Sequence, residues 1–412
     1  MPKNRPYLLL FLSLFCFVGA RSGGIEVSGQ GQKQAGMGQA GTGTLLDASS
    51  LLFNPGAVTF LDTVFTFNFS VSAYMSRVTY RENSPGTYQA EALPQATTPF
   101  SGFMAWKKKP SSKWSFGFAM YSPYGNKIQW DGSWKGQFIV QESNLIANYF
   151  QPTLSYKLTD KLGIGAGFVY ATGIFEMQKA IPVQFADGHY ASAVFHSSLS
   201  GIGYNGGLFY KCNDRLTLGF NYRSQVNLNS SNGTATFDTP LSLSGSYPAT
   251  TFTTSLPMPY VISLGAGYRI RKLLLAFDAN FTGWSAFDTL HLHFTDHTAA
   301  LADIRSPRKY TNSYTFRAGA QYALSSTTLV RLGTYYDNSP VPSGYVTPDA
   351  PDAPRIGFTA GATYRMGKRV CVDCSFLFEQ GLRRSDINME TGFAGTFQNR
   401  ILQPGIGLQV IL

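Results

Sequence analysis

The chain has 412 residues, with 33 Lys and Arg against 23 Asp and Glu, a formal charge of +10, and 42 glycines. Only 14% of residues are charged and 15% are aromatic, whereas soluble domains carry roughly 25% charged residues. Past residue 20 no stretch offers the ~20 apolar residues of a membrane helix, and the basic excess comes with no nucleic-acid-binding motif. That leaves a soluble or a membrane β protein.

Residues 1–20 read as an export signal. Lys3 and Arg5 form a basic start, "YLLLFLSLFCFV" is an apolar run too short to cross a bilayer comfortably, and Val18-Gly19-Ala20 offers a small-residue cleavage site. Cleavage as late as Ser22 is compatible with the same residues, and "SLFC" lacks the small residues of a lipoprotein box before Cys16. Without Lys3 and Arg5 the 33 basic residues become 31 against 23 acidic, a mature charge of +8. Three cysteines remain, Cys212, Cys371 and Cys374. An odd number argues against a disulfide framework, and on a strand the two thiols of "CVDC" point to opposite faces.

Residues 21–60 show no strand alternation. The stretch is Gly-rich, with short candidate helical turns, the charge of Asp47, and a strong turn signal in Asn54-Pro55-Gly56. It reads as a compact plug, with a flexible leader as the other reading of the same residues.

From residue 61 to 412 the pattern changes. In "FTFNFSVSAY" (65–74) Phe65, Phe67, Phe69, Val71 and Ala73 share one face, and Thr66, Asn68, Ser70, Ser72 and Tyr74 the other. About fourteen such segments follow one another: 61–80, 98–109, 112–124, 143–158, 161–179, 194–212, 215–230, 258–271, 272–294, 311–324, 326–338, 354–367, 368–383 and 397–411. Many exceed the roughly 5–6 residues of a globular strand. Their connections alternate in kind. Tight ones ("KKPSSK", "KLTDK", "KCNDR", "RIRK", "ALSST", "RMGKR") are interleaved with mostly long ones rich in Ser, Thr, Pro, Gly and Asn. The reading is an all-β fold: a transmembrane antiparallel up-and-down β-barrel of about 14 strands with periplasmic turns and extracellular loops.

A second regularity sits before the tight turns. Trp106-Lys107, Tyr156-Lys157, Tyr210-Lys211, Tyr268-Arg269 and Tyr364-Arg365 each end a segment, and Tyr322 holds the sixth such place. An aromatic ring at the membrane interface followed by a base beyond it is the girdle of a membrane barrel. Parity then assigns the faces. The face of Tyr364 also carries Ile356, Phe358, Ala360 and Ala362, so the apolar side meets lipid and the Gly, Thr and Arg side lines the lumen. Fourteen strands enclose more space than their own side chains fill, so the segment before residue 61 is expected inside as the plug.

At this point the sequence resembles a known family. "GMGQAGTGTLLDASSLLFNPGAVTFLD" resembles the hatch of the FadL/TodX outer-membrane transporters, and the likeness continues in "SPYGNKIQWDGSWKGQF", "LPMPYVISLGAGYRI", "FDANFTGWSAFD" and "YYDNSPVPSGYVTPDAPDAPRIGFTAGATYR". Two departures stand out: Gly56 where the family usually has Ala, and a terminal Leu412 where many barrels end in Phe. The resemblance implies a hatch that includes Gly36, Gly38, Gly41, Asn54, Pro55 and Gly56. It implies passive import of long-chain fatty acids or aromatic hydrocarbons, release sideways into the membrane, outer-membrane lipid and lipopolysaccharide as surroundings, and a monomer. The lateral opening it implies, a kink in the third strand, falls at Ser122-Pro123-Tyr124-Gly125. Pro123 has no N–H for a ladder and Gly125 permits a bulge; an ordinary strand end before a loop is the plainer reading.

The remaining candidates carry less. By parity Asp278, Arg317, Arg331 and Asp373 project inward, as contacts to a substrate carboxylate, to the hatch, or to one another across the wall. "HLHFTDH" brings His291 and His293 to one face with Asp296 and His297 near; these types ligate metals, but the place reads as a solvated loop cluster and no metal is expected. "GIGYNG" (201–206) matches a dinucleotide fingerprint in letters but not in context, since no helix follows. No cofactor and no catalytic set is expected. The alternatives to a transporter are an outer-membrane enzyme barrel and a structural or adhesive barrel.

Overall fold

The computed structural model describes residues 25–412, so the expected export signal lies outside the described residues. Within them the alternating segments form one closed antiparallel barrel. In chain order its strands are β1 (Phe65–Ser72, resumed at Tyr74–Arg81), β2 (Phe100–Trp106), β3 (Trp114–Gln129), β4 (Glu142–Lys157), β5 (Leu162–Gln184), β6 (Tyr190–Lys211) and β7 (Leu216–Arg223 and Val226–Asp238). There follow β8 (Thr250–Met258 and Val261–Ile270), β9 (Leu273–Thr282 with an outer extension Thr289–Phe294), β10 (Ile304–Pro307 and Ser313–Ala323), β11 (Thr328–Asp337), β12 (Arg355–Met366), β13 (Val370–Gly381, extended by Arg384–Ile387) and β14 (Ala394–Ile411). Closure is direct: Thr66 of β1 sits opposite Ala105 of β2 on one side and Ile411 of β14 on the other. No edge is left along this seam, which removes the unpaired row of backbone groups that lipid cannot satisfy.

The faces fall as parity requires. In β1 Thr66, Asn68, Ser70 and Ser72 are buried while Phe69 is 42% exposed. Around the wall Ile202, Leu332 and Ile406 are more than 60% exposed. A continuous apolar belt of that kind is a liability in water and fits a hydrocarbon surround. At the turn end Trp106, Tyr210, Tyr268, Tyr322 and Tyr364 point outward as the girdle.

Two expectations need correction. The base after each girdle ring was expected beyond the membrane. A strand, however, turns successive side chains to opposite faces, and three of these bases enter the lumen instead. Lys107 is 2% exposed and donates to the carbonyls of Thr59, Leu61 and Pro110. Lys157 and Lys211 lie over the Phe60 ring at 5.7 and 4.1 Å, within cation–π range. The outer strand ends also reach further than the apolar alternation does. Between β5 and β6 the expected long loop shrinks to residues 185–189, because the two strands keep pairing to Gln184 and Tyr190. Past the bilayer both faces are wet, so alternation fades while the hydrogen-bond ladder continues.

Residues 25–64 pass inside the wall. They form two single turns, α1 (Gln32–Ala35) and α2 (Ser50–Phe53), and a 3-10 turn at Ala57–Phe60. Backbone meets backbone here through paired glycines. A Cβ on Gly36 would lie 2.9 Å from the Gly361 Cα, and one on Gly43 2.4 Å from the Ala266 nitrogen. Gly38 adds a φ of 65°, which L side chains avoid, and sits against the Thr334 and Ala318 carbonyls. The glycines of the lumenal wall and those of the N-terminal segment are thus one packing feature.

Candidate functional site

The wall is broken at one place in β3. Its pairing with β2 stops at Met120, opposite Gly102. Its pairing with β4 slips between Tyr121 and Tyr124, where Tyr121 faces Tyr149 but Tyr124 faces Ala147. That is one extra residue on β3, a bulge at Ser122-Pro123, where proline has no N–H to give. The N-terminal segment fills the gap. Val27 N–H donates to the Pro123 carbonyl at 2.9 Å and Gly125 N–H donates to the Ile25 carbonyl at 3.0 Å. These two bonds frame a bridge between Glu26 and Tyr124. Gln30 Nε2 adds a bond to the Ser122 carbonyl at 2.9 Å. Ser122 Oγ also donates to Asn148 Oδ1 across the bulge at 2.6 Å.

Behind this bridge lies a cavity of about 60 Å³ whose lining includes Glu26, Asn221, Arg223, Asp278 and Arg317. Arg317 approaches the Glu26 carboxylate at 3.9 Å, and Arg223 donates to the Tyr124 hydroxyl at 3.3 Å. Arg223 Nε and Arg317 Nε have no hydrogen-bond partner among the described residues. A second carboxylate could therefore be met here by two guanidinium groups that are under-used in the present arrangement.

Aromatic rings connect the kink with the outer loops. From Phe103 on β2 the sequence of contacts runs through Tyr121, Tyr149, Tyr124, Trp284, Tyr310 and Phe287, with centroids 5.2 to 6.4 Å apart. A separate outer cluster joins Tyr80 to Trp134, Phe393 and Phe397, with Trp130 stacked on Trp134 at 4.3 Å. The loop after β11 is braced over β3: Arg308 forms a two-pronged pair with Asp349 at 3.0 and 2.9 Å, and Trp130 Nε1 donates to the Pro348 carbonyl.

The four inward charges are all buried, and each reaches the N-terminal segment or another wall residue. Asp278 accepts from the backbone N–H groups of Gly41 and Thr42, both at 2.8 Å. Arg331 donates to Gln321 and stands 3.9 Å from Asp373, and Asp373 lies 3.8 Å from Lys33. Lys33 pairs in turn with Asp47 at 3.3 Å. Asn54 ties the turn before the first strand, donating to the Thr42 and Leu208 carbonyls and accepting from Gly56 N–H. Pro55 accepts from Ser155. The sequence reading missed Lys33, Glu26, Arg223 and the ring path. Arg223 was recoverable by parity from Phe220 and Tyr222, but the partners of Glu26 depend on how a segment without periodicity is threaded.

A closed, lipid-facing barrel with a broken ladder and an N-terminal segment in its lumen defines an outer-membrane channel. The model of the family described as "Outer membrane protein transport protein (OMPP1/FadL/TodX)" matches residues 14–399. The chain belongs to this family of outer-membrane transport proteins. It is an outer-membrane protein of the Gram-negative type and not an enzyme. It is 23% identical over 429 residues to Outer membrane protein P1 of Haemophilus influenzae, covering 92% of this chain and 91% of that one. It is 22% identical over 400 residues to the long-chain fatty acid transport protein of Escherichia coli K12, covering 88% and 89%. Among solved structures it is similar to a Pseudomonas aeruginosa FadL homologue, with a TM-score of 0.81, 19% identity, and 94% and 100% coverage. It is also similar to the P. putida toluene transporter TodX, with a TM-score of 0.72, 16% identity, and 96% and 99% coverage.

Proposed function

We propose that this protein imports hydrophobic compounds, long-chain fatty acids or aromatic hydrocarbons, by passive diffusion with release sideways into the outer membrane. Cargo enters among the outer rings around Tyr80 and Trp134, moves along the ring path to Tyr124, and leaves through the β3 kink when residues 25–30 withdraw. In this reading residues 21–60 are the hatch. The observation that carries it is the substitution of an N-terminal backbone bridge for the missing wall ladder at Ser122–Gly125.

The physics favours a side exit. An acyl chain entering water loses roughly 0.8 kcal/mol per CH₂, so an aqueous pore would be a barrier to it, and a wall opening to lipid would not. The cavity of about 60 Å³ is far below the roughly 300–1,000 Å³ of ligand pockets, so the bridged arrangement is the closed one. The kink opens only if the two backbone bonds to Pro123 and Gly125 break. A fatty-acid carboxylate would compete with Glu26 for Arg317 and Arg223; a neutral hydrocarbon would not. The apolar belt supports the reading that outer-membrane lipid and lipopolysaccharide surround the wall, and the closed seam, which leaves no edge to pair with a second copy, supports a monomer.

The test is uptake of labelled oleate and of labelled toluene by cells with and without the protein. Faster uptake of either supports the reading. Equal rates for both, with barrel shown folded by heat-modifiable gel migration, would overturn it.

A further inference from the structure

The outer extension of β9 alternates strictly. Leu290, Leu292 and Phe294 are buried, with Phe294 packed on Phe195 and Phe252. His291 and His293 therefore share the opposite, wetter face, with ring centroids 6.0 Å apart. The sequence reading put Asp296 beside them. The fold instead brings in Asp303, from the far end of the 295–303 loop. Its carboxylate lies 3.5 Å from His291 Nε2, 2.7 Å from His293 Nδ1 and 2.9 Å from His297 Nε2. The ligand atoms of His291, His293 and Asp303 all fall within 4.8 Å of one another.

We propose that His291, His293, His297 and Asp303 form a binding site for a zinc-class divalent transition-metal ion, clasping the outer loop between β9 and β10. Three imidazoles and one carboxylate are a zinc ligand set and suit neither magnesium nor calcium, which take oxygen donors. Ligands about 2.0–2.1 Å from a tetrahedral centre stand about 3.3 Å apart, and the three distances from the Asp303 carboxylate to the imidazole nitrogens bracket that value. The donors of His291, His293 and Asp303 form the core of the site, and His297, which reaches the same carboxylate, swings in to complete it.

Two further observations distinguish this group from a chance cluster. His291 Nε2 is buried and has no hydrogen-bond partner among the described residues, yet it aims at the shared carboxylate. The loop that delivers Asp303 is held independently of the histidines. Phe294 N–H donates to Asp303 Oδ1 at 3.0 Å, Thr298 Oγ1 donates to the Ser246 carbonyl, and Leu301 is buried. The Phe294 bond is the kind of outer contact that orients a metal-binding carboxylate. The site lies on the outer extension of β9, so it would fix the shape of an outer loop.

The experiment uses detergent-solubilised, folded, tag-free protein titrated with zinc alone, with bound metal counted after dialysis, and with cobalt as a coloured probe. One zinc per barrel is expected, together with the strong visible absorption of four-coordinate cobalt. His293→Ala and Asp303→Asn should each weaken binding at least about tenfold while heat-modifiable migration is unchanged. His189→Ala and His196→Ala, which remove the two histidines outside the group, should bind as the parent does. No retained zinc in the parent would overturn the proposal. So would equal retention by His293→Ala, or loss of binding only in the His189 and His196 variants. If either ligand variant fails to fold, His297→Ala, whose side chain is half exposed, serves in its place with the same expected loss.

Discussion

If residues 25–27 close the β3 kink, a covalent bond there should stop transport. The geometry offers the pair Val27→Cys with Gly125→Cys. A Cβ built on Gly125 would lie 3.4 Å from Val27 Cγ2 and 3.2 Å from the Leu145 carbonyl, tight but without a left-handed φ to strain it. That is within reach of a disulfide. The unmodified latch consists of three hydrogen bonds, from Val27 N–H, Gly125 N–H and Gln30 Nε2. At a net ~0.5–1.5 kcal/mol each they bias the kink closed by roughly 1.5–4.5 kcal/mol, on the order of ten- to two-thousandfold. Spontaneous opening is therefore rare but accessible, and the disulfide removes it. In a background with Cys212, Cys371 and Cys374 replaced by serine, oxidised protein should lose uptake of labelled cargo and recover it on reduction. Each single-cysteine control should transport under both conditions. Undiminished uptake by fully cross-linked, folded protein would refute a gate at this position.

Gln30→Ala removes one latch bond, so uptake should rise roughly two- to tenfold where opening limits the rate; unchanged uptake would mean the latch is not limiting. Glu26→Gln should raise competition-free access of oleate to Arg317 and Arg223 and leave toluene uptake unaltered, and dose–response curves for the two cargoes compare them directly. Asp278→Ala leaves the buried Gly41 and Thr42 N–H groups without their acceptor, a loss of roughly 2–3 kcal/mol; a lower temperature of gel-shift unfolding and greater small-solute leak should follow. For the outer brace the sign of the pH effect is fixed. Burial would raise the Asp349 carboxyl, but Arg308 outweighs it and holds the group below its ordinary range. A depressed carboxyl stabilises above its unfolded value of about 3.9 and loses that contribution as pH falls further through the folded value. Protease cleavage in the 338–354 loop should thus increase in acid below about pH 4, and Asp349→Asn should show that susceptibility already at neutral pH.

The barrel was legible because two independent periods agree. Alternation such as Tyr314, Phe316, Ala318 and Ala320 fixes the lipid face, and a ring before each tight turn fixes the membrane boundary. The inward direction of Asp278, Arg317, Arg331 and Asp373 followed from the same parity. What parity could not give was the partner. Lys33 reaches Asp47 and Asp373, and Glu26 reaches Arg317, only because an aperiodic segment is threaded among them. Three of the girdle bases, Lys107, Lys157 and Lys211, were misplaced for a related reason: "Trp-Lys" reads as a pair in sequence, but a strand separates its members to opposite faces. Asp303 was missed because the chain between it and His293 carries no regular pattern, so nothing in the letters indicates where it returns.

In the proposed route cargo leaves through the wall at β3 and not along the barrel axis. A photoactivatable long-chain fatty acid, supplied to cells and cross-linked during uptake, tests it directly. Exit through the wall predicts labelling at Phe103, Tyr121 and Tyr124 and in the adjoining segment 25–30. Labelling concentrated instead at the periplasmic mouth, around Phe60, Lys157 and Lys211, would contradict it.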